Sequence, residues 1–402
     1  MSPHIKAFLA NVGAIGIIVG VFVVLTHPQW VGFESSLNGG GETISTLSEV
    51  GAPADADQSA SASSAVSATT SEANPVSPTV KTAPVKQQEQ AVPIPSPSAT
   101  STSDNFQAIR IENPYQFPPQ ELAIINDETR LALVNILCAA RSGSLRPISA
   151  SGVIIDSRGV ILTNAHVAQY VLLASDQQVD LSCVIRTGSP AIARFIPEIL
   201  YIPPAWIYEH ARDIKTTRPE GTGEHDYALL RIKGTVNGSP LPETFPSLPI
   251  DSRETIGFVD DSVLVASYPA EFIGGATTQL NLYPATSVTT IKNLLTFSDT
   301  GTVDLVSVGG VIEAQSGSSG GAIVNAWGRL IGLISTTSEG LTTSVRDLRA
   351  ITLSYINRDI SIQSGLDLAT ILAGDVASEA NAFNTSEAPA LLQLLIDQLK
   401  TR

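Results

Sequence analysis

From about Ile109 onward the chain is a succession of short runs of Val, Ile and Leu separated by Gly, Pro, Ser and Asp. RLALVNILCAA, SASGVIID, GVILTNAHV, YALLRIKG, DSVLVASYP, TVDLVSVGG, GGAIVNAWG and GRLIGLIST are the clearest. Apolar runs of this length, bounded by turn formers, are strands, and their spacing points to an all-β sandwich or to closed barrels. Few amphipathic helices alternate with them, which disfavours a doubly wound α/β sheet. The segment is longer than one small barrel needs, so two packed barrels fit it better. Only the end reverts to helix: PALLQLLIDQLK sets Leu391, Leu395 and Leu399 at helical spacing, with Leu392 and Ile396 beside them.

The N-terminal part is of another kind. Residues 7–26, AFLANVGAIGIIVGVFVVLT, carry no charge and match the roughly 30 Å apolar thickness of a bilayer at about 1.5 Å per helical residue. This predicts a transmembrane anchor after a short cytoplasmic stretch, residues 1–6. A cleaved signal peptide is the rival, but THPQWVGF follows where a small-residue cleavage site would be needed. Lys6 precedes the span and the next cation is Lys81, which sets the N-terminus inside and the remainder outside. Gly16 and Gly20 have the spacing that lets two spans pack, a pattern also common in apolar segments, so homo-oligomerisation stays open. Residues 27–108, rich in Ser, Ala, Thr, Pro and Gln without period, form a disordered linker with an end-to-end distance on the order of 45 Å.

Composition narrows the function. Of 402 residues 43 % are hydrophobic, enough for a sizeable core, and a formal charge of -15 argues against nucleic acid or anionic lipid as partner. Protein or peptide partners are the better reading. Cys138 and Cys183 are the only cysteines, with no zinc-ligand or CxxC spacing, so neither metal nor cofactor is expected. They flank His166, and in an oxidising compartment they would form a disulfide, two buried thiols being the alternative.

GSSGGAIVN, at residues 317–325, is either a flexible Gly/Ser stretch or a nucleophile loop. Gly317 to Gly321 satisfy both the GxSxG elbow of α/β-hydrolases and the GxSGG loop of chymotrypsin-like enzymes. All five histidines, at 4, 27, 166, 210 and 225, precede Ser319, which defeats the elbow, because that fold places its histidine after the serine. His166 ends two apolar runs joined by a turn at Asp156 to Gly159, where a rigid general base belongs. Between it and Ser319 only Asp226 opens an apolar strand, DYALLRI. His210 and His225 read as surface residues, His225 pointing away from Asp226's face by strand alternation.

In that order SGVIID, GVILTNAHV, DYALLRI and GSSGGAIVNAWGRLIGLIS resemble the His, Asp and Ser blocks of trypsin-like serine proteases, most of all the bacterial HtrA-type branch. The resemblance covers about residues 132–336. It implies two packed six-stranded antiparallel β-barrels of chymotrypsin type within 109–362, the first at about 130–245 and the second at about 255–362; the helical tail read from the leucine spacing follows at 363–402. It also implies a triad of His166, Asp226 and Ser319, with the N–H groups of Gly317 and Ser319 as oxyanion hole. The expected activity is a membrane-anchored extracytoplasmic serine endopeptidase, periplasmic or at the cell surface; the alternative is an inactive binding module of the same fold.

The chain departs from the family pattern in two places. Ser318 stands where the digestive enzymes carry an aspartate that captures a new N-terminus, so activation by clipping is not expected. Too few residues follow Ile362 for the PDZ domain of HtrA-type relatives, and the tail is expected to dock on the barrel. Glu313 falls where the family has the base of the primary specificity pocket, which would favour Lys or Arg, a surface Glu being the rival. Ser335, Thr336 and Thr337 resemble the edge on which substrate pairs by backbone hydrogen bonds.

Overall fold

The structure, a computed structural model, describes residues 113–401 apart from 141–144, 217–221, 255, 272–277, 279, 299–300 and 338–341. The anchor and linker read at residues 7–26 and 27–108 lie outside the described residues. Among those described, no helix is long and apolar enough to cross a membrane.

The first six strands are β1 (Leu133–Ala140), β2 (Ile148–Asp156), β3 (Val160–Thr163), β4 (Leu181–Thr187), β5 (Ile192–Tyr201) and β6 (Ala228–Thr235). They close into an antiparallel barrel in the order β1-β2-β3-β6-β5-β4, so no edge is left to pair with another chain. Val134, Ile136, Val153, Ile161 and Leu229 are buried in it. The turn from β2 to β3 is the one expected at Asp156 to Gly159: the Gly159 N–H donates to the Asp156 carbonyl at 2.9 Å, with Gly159 at φ 86°.

The second half contains β7 (Ser262–Ser267), β8 (Ala285–Thr290), β9 (Asn293–Leu295), β10 (Leu305–Gly309), β11 (Ala322–Asn325), β12 (Leu330–Thr337) and β13 (Leu348–Thr352). It forms a seven-stranded sheet, β8-β7-β11-β12-β13-β10-β9, instead of the expected six-stranded closed barrel. The physical reason lies at Ile291 and Lys292, whose N–H groups donate to Asp261 and Ser307 on opposite sides. That break divides one length of chain into β8, which pairs with β7, and β9, which pairs with β10. The ends of the sheet are therefore joined by two residues of chain and not by a ladder of hydrogen bonds. Alternation explains why its runs are apolar throughout: Val263, Val265 and Ile323 enter the core of this half, while Leu264, Ala266 and Ala322 belong to the core shared with the barrel.

The run RLALVNILCAA is not all strand. Helix α1 (Leu122–Ala132) takes its first residues, burying Ile125, Thr129 and Ala132, and the chain turns extended at Leu133 with no breaker between. Helix α2 (Ala165–Leu173) follows β3, and α3 (Pro204–His210) follows β5.

Helices resume at α4 (Leu353–Ser364), continue through α5 (Leu368–Ala373) and α6 (Val376–Ser386), and end in α7 (Ala388–Lys400). The Thr352, Asp367 and Asp375 side chains accept backbone N–H groups at the starts of α4, α5 and α6, and Gly365 closes α4 in the left-handed conformation. This tail docks on the barrel. Asn384 donates to the Ile199 carbonyl at 2.7 Å, and Arg158 donates to the carbonyls of Gly374, at 2.8 Å, and Leu372. Leu391 and Leu395 of α7 are buried, and the helix packs on α2 and α3.

Cys138 and Cys183, register partners on β1 and β4, form a disulfide across 45 residues of chain. A loop of that size restricts the unfolded chain by about 4 kcal/mol in the chain-entropy account. Replacing both cysteines with serine is expected to remove a large part of that stability, measured as a lower midpoint of chemical denaturation with a steeper slope, because the unfolded chain expands once the cross-link is gone.

Candidate active site

Adjacent strands assemble the first pair. Thr163 of β3 is the register partner of Ala228 of β6. Beyond Thr163 comes Asn164, whose amide donates to the Asp226 carbonyl oxygen at 2.8 Å, and then the first turn of α2, which carries His166. One carboxylate oxygen of Asp226 accepts the His166 backbone N–H at 3.0 Å, and the other lies 2.8 Å from His166 Nδ1. An anionic group thus sits at the start of a helix, where unpaired N–H groups and the peptide dipoles favour it. The second oxygen also accepts from Ser335 Oγ at 2.8 Å.

These contacts set the protonation pattern. Burial opposes ionisation of Asp226, yet the charge of His166, its two hydrogen bonds and that of Ser335 hold the carboxyl below its ordinary range. Burial likewise opposes the imidazolium of His166, but the neighbouring carboxylate outweighs it and the imidazole titrates above its ordinary value. An ionised Asp226 can only accept, so the neutral imidazole keeps its proton on Nδ1 and offers Nε2 as the base.

Ser319 reaches the same place through its neighbours. Its carbonyl accepts from the Ser151 N–H at 2.8 Å, and the Gly320 N–H donates to Ile334, next to Ser335, at 2.8 Å. A Cβ on Gly320 would stand 2.0 Å from the Ser151 carbonyl oxygen and 2.6 Å from Thr163 Oγ1, so only glycine lets the loop approach β2 and β3 this closely. The half-buried Ser319 hydroxyl makes no hydrogen bond to His166.

The loop before the serine is pinned at several points. The Gly317 carbonyl accepts from Ser151 Oγ at 2.8 Å, and that hydroxyl oxygen accepts from the Tyr268 N–H at 2.8 Å. The Ser316 carbonyl accepts from Ala270 at 2.8 Å, which turns the N–H of the same peptide, that of Gly317, the opposite way. Glu271 accepts the Ser316 N–H at 3.1 Å and is held by Arg346 at 2.6 and 2.9 Å. Gly317, at φ 94°, has backbone atoms of Tyr268 and Ala270 2.8 Å from any Cβ it might carry. Within the loop Ser318, Gly320 and Gly321 donate their N–H groups, whereas those of Gly317 and Ser319 have no acceptor among the described residues.

The other expected residues fall out differently. Ser335 faces Asp226, not a substrate edge. Thr336 and Thr337 pair with Arg349 and Leu348 of β13, and the ladder from β11 reaches no further than Leu333, so the opposite edge carries no strand among the described residues. Glu313 is fully buried and not a surface residue. Its Oε1 accepts from Ser287 at 3.0 Å, its Oε2 has no partner, and burial raises its pKa. Ser318 is buried and its Oγ accepts from Ser267 at 2.8 Å, so no carboxylate occupies that position. No metal-holding group of His, Cys, Asp or Glu occurs among the described residues.

Sequence reasoning missed Ser151, whose hydroxyl and backbone bridge the two halves, and His225, which is half-buried and hydrogen-bonded. Ser151 has no signal in SASG that separates it from its neighbours. For His225 the turn formers before DYALLRI were the available hint, because a turn and not a strand precedes Asp226.

Residues 150–333 match the family model for a trypsin-like peptidase domain. No curated protein matches the chain. Among solved structures, one described as the crystal structure of Deg5 aligns at 16% identity over 60% of this chain and 94% of its own, with a TM-score of 0.38.

The His166 imidazole is expected to titrate above 6.5 by NMR, and to titrate lower in Asp226→Asn, where desolvation remains and the counter-charge is gone. A shift in the opposite direction would contradict the pairing described here.

Proposed function

We propose that the chain is a trypsin-like serine endopeptidase in which His166, Asp226 and Ser319 hydrolyse peptide bonds through an acyl-enzyme, a reading supported by the match of residues 150–333 to a trypsin-like peptidase domain. The observation that carries this reading is the Asp226 carboxylate, which takes His166 Nδ1 while the Ser319 loop is latched to the same strands. Ser319 Oγ attacks the peptide carbonyl as His166 Nε2 removes its proton. The N–H groups of Gly317 and Ser319 receive the developing oxyanion. The imidazolium then protonates the leaving amine as the C–N bond breaks, and water, activated by the same Nε2, releases the acyl group. Pinning of Ser316, Glu271 and Arg346 supports an oxyanion loop formed in advance, with no cleavage event needed to order it.

Finer features belong to the same proposal. The enzyme is membrane-anchored through residues 7–26 and extracytoplasmic, of the HtrA type suggested by its motifs and by Ser318 in place of the N-terminus-capturing aspartate. The disulfide supports that location, since such bonds persist in oxidising compartments. Its partners are protein substrates. Glu313 favours Lys or Arg before the scissile bond, because a cation would supply the partner that its second carboxyl oxygen lacks. One observation favours the second reading, a non-catalytic binding module: the resting Ser319 hydroxyl is not bonded to His166.

A fluorophosphonate probe separates the two. Wild-type protein is expected to label on Ser319, Ser319→Ala not at all, and Asp226→Asn about 10⁴-fold more slowly. Gly317→Ala, which forces a Cβ into Tyr268 and Ala270, should cost about 10²–10³ in rate by turning away one oxyanion donor. Folded wild-type protein that stays unlabelled at pH 8 would leave the binding module. In a peptide-library profile, preference for Lys and Arg should disappear in Glu313→Gln, and its absence in the wild type would remove the specificity reading.

A further inference from the structure

A second histidine–aspartate pair lies directly beside the first. Asp226 is the fourth residue of a turn whose closing hydrogen bond runs from its N–H to the Gly223 carbonyl at 3.2 Å. His225, the third residue, has φ 57°, the left-handed conformation where glycine or asparagine ordinarily stands. A histidine there bears a conformational cost, so something outside the turn must hold it.

That hold comes from α4. Tyr355, Asp359 and Gln363 succeed one another at intervals of four and share one face of the helix. Asp359 Oδ2 lies 2.9 Å from His225 Nδ1 and also accepts from Gln363 at 2.7 Å and from Tyr227 Oη at 2.8 Å. Tyr355 Oη accepts the His225 backbone N–H at 3.1 Å. Imidazole and peptide of one residue are thereby gripped by one helix, and the next residue is Asp226.

We propose that His225, anchored to Asp359, is a positioning residue that sets the Asp226 carboxylate against His166, and that this hold weakens as His225 loses its charge at rising pH. The proposal rests on the serine-peptidase reading above. Three carboxylates around the imidazole favour its charged form: Asp359 from α4, Glu209 from α3, and Glu224 on its own turn; the uncharged Tyr355 Oη and Gln363 Nε2 of α4 also face Nδ1, at 3.4 and 3.2 Å. Behind Asp359 stand Tyr227 and, stacked on it, Tyr201, both with hydroxyls that burial keeps neutral. Hydrogen bonding and charge from Asp359 outweigh burial, and His225 titrates above its ordinary value. A raised folded-state pKa means that the contribution is complete below about 6.5 and is lost as pH rises through the raised value. His166 acts in the opposite sense, since its base form appears as pH rises. The rate should therefore pass through a maximum, with His166 setting the acid limb and His225 contributing to the alkaline one.

The rate of fluorophosphonate labelling at Ser319, followed from pH 5 to 9.5 in the full chain, tests this. His225→Gly relieves the turn while deleting the imidazole, and labelling at pH 7 should fall about ten-fold, in keeping with the cost of a small misplacement. His225→Asn accepts the left-handed conformation and can still donate to Asp359 without charge. It should restore at least half of the lost rate and flatten the alkaline limb. A role confined to turn strain predicts that glycine labels at least as fast as histidine, and that result would overturn the proposal. So would an alkaline limb in His225→Asn identical to the wild type's, which decides the matter should the glycine variant not fold. Wild-type protein that does not label at all removes the peptidase reading and this inference with it, an outcome distinct from labelling that ignores residue 225.

Discussion

Asp226 is buried at 5 % exposure, yet its carboxylate stays ionised because His166 and Ser335 supply donors in place of the lost water. The His166 N–H and imidazole come from the start of α2, and the Ser335 hydroxyl comes from β12 in the other half of the molecule. A buried charge is costly unless its lone pairs are taken up, so the elements that supply those donors are bound to their relative positions. The closed barrel fixes β3 against β6, and the second sheet contributes the third donor. Much of the architecture can be understood as the arrangement that keeps one carboxylate charged away from solvent.

Part of this was legible in the chain. The apolar runs became strands because they are short, β-branched and separated by turn formers. Asp226 stood out because DYALLRI continues directly as a long apolar run, although Asp261 and Asp304 also precede strands, β7 and β10. The helical reading of PALLQLLIDQLK held as well, since Leu391 and Leu395 are its buried positions. Asp226 and His166 meet through neighbouring strands, which follows once the runs are known to pair.

The remainder depended on contacts that local pattern does not encode. RLALVNILCAA passes from helix to strand at Leu133 without a breaker, because tertiary packing and not propensity decides where an apolar run changes form. The division at Ile291 and Lys292 arises from two acceptors on opposite sides, and the letters give no sign of it. His225 was read as alternating away from Asp226, which is true of strands; the chain there is a turn, and the residue's partner lies 134 positions further along. Glu313 could not be told from a surface residue until its burial was visible.

Ser151 gives the design a mechanical character. Its N–H, hydroxyl hydrogen and hydroxyl oxygen hold Ser319, Gly317 and Tyr268, so one small residue of the barrel grips three points of the opposing half. Any sliding of the halves across each other strains these short bonds together with the core that the two halves share. The nucleophile loop is in this sense a gauge of alignment: it keeps its shape only while barrel and sheet stay in register.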